Sequence, residues 1–256
     1  MLAKFWAKSG YSLGISLWVV FVFILAQIAV ELGYVGTSMV IPAIDNINPA
    51  IFATLMAVLV YGLSIVALMG ATFVFKTKKI TRETFGLKRL VSWSDIGIGL
   101  LAILPYFILS ASLVVVVSLV WHGFDAAQPQ SIPFSNLQQR FELIVAFITL
   151  VILAPFAEEA LFRGYLLGKV KEKINKWLAV VLTAIVFGLL HLPGEATDSG
   201  LTLQWAVVAD TLSLGLILGS LRIFTGSIWA GVILHMLKNG IAFYFLFINP
   251  AMTGNL

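Results

Sequence analysis

The sequence predicts an all-α, polytopic transmembrane helix bundle of seven to eight spans. Two observations carry that prediction. Of 256 residues, 60% are hydrophobic and only 11% charged, against roughly half apolar and a quarter charged in a soluble domain. Mean hydropathy is +1.02. Side chains so poor in charge would not cover a water-facing surface, so a soluble globular protein is excluded. The length suits one membrane-embedded domain, 1–256, with its motif-bearing core at 141–248. The absence of cysteine excludes disulfides and thiolate ligands or nucleophiles.

A spanning helix needs about 20 mainly apolar residues. Runs of this kind occur at Tyr11–Val30, Ala50–Phe75, Ile96–Trp121, Phe141–Val170, Trp177–Leu192, Leu201–Leu221 and Gly226–Ile248. The first has basic flanks at Lys4 and Lys8, but it is long for a signal peptide and no small-x-small site follows, so it reads as a retained helix. Between the second and third runs, Thr84–Asp95 mixes basic and apolar residues, as a loop or a segment lying on the membrane surface would. Ser135 and Gln138 form a capping-box start for the fourth helix. Run on to Val170, that helix is about 45 Å long, with its midpoint near Pro155–Glu158.

The formal charge of +4 reflects basic loops rather than nucleic-acid binding. Lys76, Lys78, Lys79, Arg82, Lys88, Arg89, Lys169, Lys171, Lys173, Lys176 and Arg222 join Lys4 and Lys8 at alternate helix ends. The opposite ends hold Arg140 with Glu31, Asp45, Asp125, Glu142, Glu195 and Asp198. This asymmetry puts the N-terminus in the cytoplasm.

Ionisable side chains inside a bilayer cost at least a few kcal/mol each and mark function. Glu158 and Glu159 are adjacent in the fourth helix, about 100° apart around its axis. Glu159 and Arg163 stand at i and i+4, the spacing of an ion pair, which leaves Glu158 free to act as a base. A purely structural salt-bridge cluster is the competing reading. His191 closes the fifth run before Pro193. His235 lies in the seventh, with Asn239 one turn later on the same face. Counted from the cytoplasmic ends, Glu158, His191 and His235 lie about 18, 21 and 14 Å deep, so three helices bring polar groups to one level. His122 falls in an outer loop and receives no role.

Such a set suits hydrolysis. Glu158 takes a proton from water, His191 holds that water or shares the proton, and His235 with Asn239 donates to an oxyanion. A zinc variant would use Glu158, His191 and His235 as ligands, although no His-Glu-x-x-His helix supports it. Asp210 and Lys238 lie outside these motifs and are candidates to pair with each other. Gly215 and Gly219, spaced as GxxxG, suit close helix packing. Neither inverted repeats nor the serine and aspartyl motifs of other intramembrane proteases are present.

Glu158-Glu159-x-x-x-Arg163, Phe187-x-x-x-His191 and His235-x-x-x-Asn239, in that order, resemble the CPBP family of intramembrane proteases, also called ABI. The run Gly215–Asn239 is similar to that family's approach to its last motif, whereas the first half of the chain matches only in general character. The resemblance implies a glutamate-dependent endopeptidase sunk in the bilayer. Its water-activating glutamate falls on Glu158, its partner histidine on His191, its oxyanion-binding pair on His235 and Asn239, and its supporting positions on Glu159 and Arg163. It implies eight spans where the apolar runs give seven, and membrane-associated peptides or proteins as substrates. The family covers CAAX prenyl endopeptidases and bacteriocin-processing or immunity proteins. The short loops resemble a prokaryotic cell-membrane member, for which CAAX substrates are not expected. Metal-free chemistry is the expectation, and the alternative is a non-catalytic immunity or peptide-binding protein.

Overall fold

A computed structural model describes residues 2–70, 81–128, 139–197 and 200–249, together with Phe134 and Leu137. The helices are α1 (Leu2–Val40), α2 (Pro49–Leu68), α3 (Trp93–Val120), α4 (Arg140–Val170), α5 (Lys176–Leu189), α6 (Trp205–Thr225) and α7 (Trp229–Ile248). A hairpin of β1 (Pro193–Thr197) and β2 (Gly200–Leu203) separates α5 from α6, pairing Pro193 with Leu203 and Thr197 with Gly200.

Among the described residues, six helices are long and apolar enough to cross a membrane, where the sequence predicts seven to eight. The difference lies in α5, which has 14 residues and so a length of about 21 Å. The apolar run continues to Leu192, but the helix ends at Leu189 and Pro193 opens a strand. For the same reason Leu201–Leu203 is strand rather than the start of α6. In contrast, α1 continues past Val30 to Val40, because no helix breaker precedes Pro42.

The polar starts are local and physical. Asn48 caps α2, its side chain accepting from the Ala50 and Ile51 amides. Ser92 and Asp95 make a capping box for α3. The expected box at Ser135 and Gln138 lies outside the described residues. Glu142 serves α4 instead, accepting from the Gln139 amide at 2.8 Å. Glu142 also accepts from the Asn48 side chain at 2.7 Å, which ties the start of α4 to the start of α2. Further along the same two helices the Thr54 and Thr149 hydroxyls are 2.7 Å apart.

The outer surface is apolar. Leu17, Phe21, Leu32, Leu104, Ile108 and Leu119 are all at least half exposed, which is stable only against lipid. α6 is the most enclosed span, with 56% of its apolar window buried against 11% for α2. It packs on α5 through the GxxxG pair. A Cβ added at Gly215 would meet the Ala184 Cα at 3.0 Å, and one at Gly219 would meet Val180 Cγ1 at 2.9 Å. The main core joins Ile15 and Val19 of α1, Tyr106 of α3, Leu161, Tyr165 and Leu166 of α4, and Phe187, Leu214, Leu218 and Leu234.

The Thr84–Asp95 stretch is neither a loose loop nor a surface helix. Gly86 C=O accepts from the Ser227 hydroxyl at 3.2 Å, and the Trp229 indole donates to Arg89 C=O at 2.9 Å. Arg89 Nη2 reaches the buried Asp95 Oδ1 at 2.8 Å. The segment is therefore a strap across the α6–α7 junction.

Because helices in lipid gain little from apolar contact alone, the bare GxxxG face carries much of the α5–α6 association. Gly219→Leu is expected to lower stability by about 1–3 kcal/mol through overpacking, read as a reduced melting temperature in detergent. An unchanged melt would show that α5 and α6 do not depend on this contact.

Candidate active site

The site begins with a distortion of α4. Its α-helical turns are interrupted by two π segments, Ile148–Leu153 and Glu159–Leu166. Pro155 explains the first. A proline inside a helix lacks the N–H and clashes with the carbonyl four residues back. The widened turn relieves the clash, and the Ala154 amide bonds to Thr149 C=O, five residues back. In that register Pro155 would serve Leu150 C=O but has no hydrogen to give. The Asn239 side chain supplies it, donating from Nδ2 to Leu150 C=O at 2.9 Å. Asn239 on α7 thus completes the backbone of α4. An amide nitrogen has a second hydrogen, which keeps its expected role as an oxyanion donor chemically open.

The two glutamates differ as their angular separation requires. Glu159 is fully buried, and its Oε1 lies 3.0 Å from Arg163 Nη1. The contact is ionic rather than a well-aligned hydrogen bond, since neither terminal nitrogen of Arg163 has a hydrogen-bond partner among the described residues. The flat face of the guanidinium rests on Phe187, 4.1 Å from the ring centroid. Glu159 needs room that only a glycine leaves, because a Cβ at Gly231 would stand 2.8 Å from its Oε2. Glu158 keeps 14% of its side chain accessible.

His235 lies between the carboxylates. Its Nδ1 is 3.4 Å from Glu159 Oε1 and its Nε2 is 3.7 Å from Glu158 Oε2. Adjacent glutamates therefore share one partner, through different nitrogens of one ring. Glu159 orients the imidazole while Glu158 faces its reactive edge. His191 follows the last turn of α5, where Nδ1 contacts Phe187 C=O at 2.8 Å. That contact leaves Nε2 as the available nitrogen. Glu158, His235 and Lys238 are its ionisable neighbours.

Phe187 joins these parts. It is fully buried and meets His191 at 4.7 Å and His235 at 6.1 Å between ring centroids, besides carrying Arg163. In the sequence it marks the start of the histidine motif, four residues before His191, without a role of its own. Asp210 and Lys238 do pair, at 3.0 Å. Tyr106 and Ser110 of α3 also donate to Asp210, the latter at 2.8 Å. A cavity of about 530 Å³ lies between α1, α2 and α4, lined by Phe23, Met56, Tyr61, Thr149, Leu150 and Ala154. Ala154 is one turn before Glu158, so the cavity abuts the face of α4 that carries the glutamate.

The zinc variant would need Glu158, His191 and His235 to converge. Among the described residues no three His, Asp or Glu side chains converge as metal ligands. His235 is held between two carboxylates, and His191 Nδ1 is held by Phe187 C=O.

The model of the type II CAAX prenyl endopeptidase Rce1-like family matches residues 140–241. Residues 140–241 are thus similar to the Rce1-like family, which belongs to the CPBP family. The matched stretch includes all three motifs. An uncharacterized 24.3 kDa protein of Escherichia coli is 33% identical over 97 residues, covering 37% of this chain and 41% of that protein. The match therefore spans less than half the length of the curated relative. No solved structure matches the chain significantly.

Breaking a buried pair leaves an uncompensated charge and costs about 3–5 kcal/mol. Glu159→Gln is accordingly expected to lose most of the folded protein, whereas Glu158→Gln stays within about 1 kcal/mol of the parent, as a near-isosteric change at a partly accessible side chain should. Melting of the detergent-purified proteins checks the contrast. Equal losses would mean that Arg163 does not depend on Glu159.

Proposed function

We propose that the protein is an intramembrane, glutamate-dependent endopeptidase acting on membrane-associated peptides or proteins. The observation that carries this reading is the division of labour between adjacent carboxylates. Glu159 is locked away with Arg163, while Glu158 is partly accessible, faces His235 and bonds to Tyr61, which lines an apolar cavity. A purely structural salt-bridge cluster gives no reason for the second acid to stay accessible.

The chemistry follows from these positions. Glu158 removes a proton from water, whose oxygen attacks the scissile carbonyl carbon. His191 shares that proton through its free nitrogen. His235 and Asn239 donate to the carbonyl oxygen as it becomes an oxyanion, and such donors contribute about 3–4 kcal/mol each in well-studied hydrolases. When the tetrahedral species collapses, the C–N bond breaks and the proton held by Glu158 goes to the leaving amine. Glu159 and Arg163 hold the His235 ring and the helix face in place. The carboxylate–imidazole chemistry requires no metal. The apolar cavity suits the hydrophobic part of a membrane-bound chain. The basic-loop asymmetry supports a cytoplasmic N-terminus, and the bacterial relative supports a prokaryotic cell membrane.

Glu158→Gln is nearly isosteric and tests the reading. In a host deleted for the gene, wild type and Glu158→Gln at equal membrane levels are compared by mass spectrometry of membrane and secreted peptides. A cleaved product is expected with wild type alone, unaffected by chelators. Identical peptide profiles would sink the protease reading and leave a peptide-binding or immunity protein. Activity lost to chelation, with zinc near one per chain, would overturn the metal-free mechanism.

A further inference from the structure

Tyr61 lies on α2, outside residues 140–241 and outside the three motifs. Its hydroxyl donates to Glu158 Oε1 at 2.6 Å, the length of a charge-assisted O–H···O⁻ bond. We propose that Tyr61 is the positioning residue for Glu158, so that the N-terminal half of the chain supplies part of the working site. The inference rests on the reading of Glu158 as the base.

A glutamate carboxyl rotates easily about its last torsion, whose preference is broad and two-fold. Here one oxygen is held by Tyr61, and the other is turned towards His235 Nε2, 3.7 Å away. α2 and α7 thus grip the group from two sides and select Oε2 as the oxygen that meets water. The Tyr61 ring is itself held, packing against Phe23 of α1 at 6.1 Å between centroids. It also lines the cavity, so it stands between that space and the carboxylate.

The bond is also one rung of a ladder. Asn48 meets Glu142, Thr54 meets Thr149 and Tyr61 meets Glu158, in the same order along both helices. Residues 48 to 61 of α2 thereby run beside residues 142 to 158 of α4. Two regular helices would slip out of step over such unequal lengths. The π segment Ile148–Leu153 lies inside the longer stretch and packs more residues into each unit of rise. The distortion made by Pro155 takes up part of that difference, and the long Tyr61 and Glu158 side chains span the rest. α2 has little buried surface of its own, so these bonds are its principal polar anchors to the site helix.

The experiment uses the full chain in detergent as wild type, Tyr61→Phe, Glu158→Gln and the double variant. The probe is an internally quenched peptide spanning the cleavage site found in the mass-spectrometric comparison of wild type with Glu158→Gln. Tyr61→Phe should lower kcat 10–100-fold with KM within two-fold, because a positioning bond acts on the base and not on substrate binding. In parallel, the carboxyl infrared band of Glu158 is isolated as two differences, wild type minus Glu158→Gln and Tyr61→Phe minus the double variant. The band should move when the hydroxyl is gone. An unmoved band, or a change in KM with kcat retained, would overturn the proposal. If wild type leaves the probe uncut, the failure belongs to the choice of substrate or to the peptidase reading. The band then decides the positioning role alone.

Discussion

The structure depends on keeping one carboxylate, that of Glu159, inside a protein that is itself inside lipid. With no water to solvate it, the group needs partners within the protein. Arg163 answers along the same helix and His235 from α7, while Gly231 gives up its side chain so that the helices close around the group. Arg163 in turn needs Phe187, because its terminal nitrogens are otherwise without hydrogen bonds among the described residues. Three helices are thus drawn to one point by one charge. Glu158, the next residue, inherits a fixed position without being consumed by the ion pair.

A second constraint comes from Pro155. By removing one backbone donor it forces a wide turn and orphans the Leu150 carbonyl, and in a bilayer an orphaned carbonyl costs several kcal/mol. Asn239 repairs the defect and is thereby fixed beside the site. Irregular backbone at a functional position is a recurring use of π segments. Here the irregularity has an assignable cause and an assignable repair. The Asp210–Lys238 pair, supported by Tyr106 and Ser110, does similar work one helix face away, fastening α7 to α6 and α3 close to His191.

Glu158→Gln and Tyr61→Phe perturb these layers separately: the first changes the proposed base and the second only its support. Most of this arrangement is legible in the residues. The i, i+4 spacing of Glu159 and Arg163 foretells their contact, and depth counting brings Glu158, His191 and His235 to one level. The Asp210–Lys238 pairing and the GxxxG contact are also readable from charge and spacing. The count of spans is less legible. Hydropathy runs on through Leu190 and Leu192, but Pro193 and the hairpin that follows end the helix early.

By itself, the sequence determined that the chain lives in a membrane, that it is helical, and which polar side chains lie at the level of the site. Composition and helical period are properties of one strand of chain, and they suffice for that. Only the tertiary structure decided that both glutamates meet one histidine ring, that Asn239 mends the α4 backbone, and that Tyr61 holds Glu158 from a distant helix. Those contacts join residues 76 to 97 positions apart. The rotation and stagger of neighbouring helices set such contacts, and a π segment alters both by an amount that no periodicity in the sequence records.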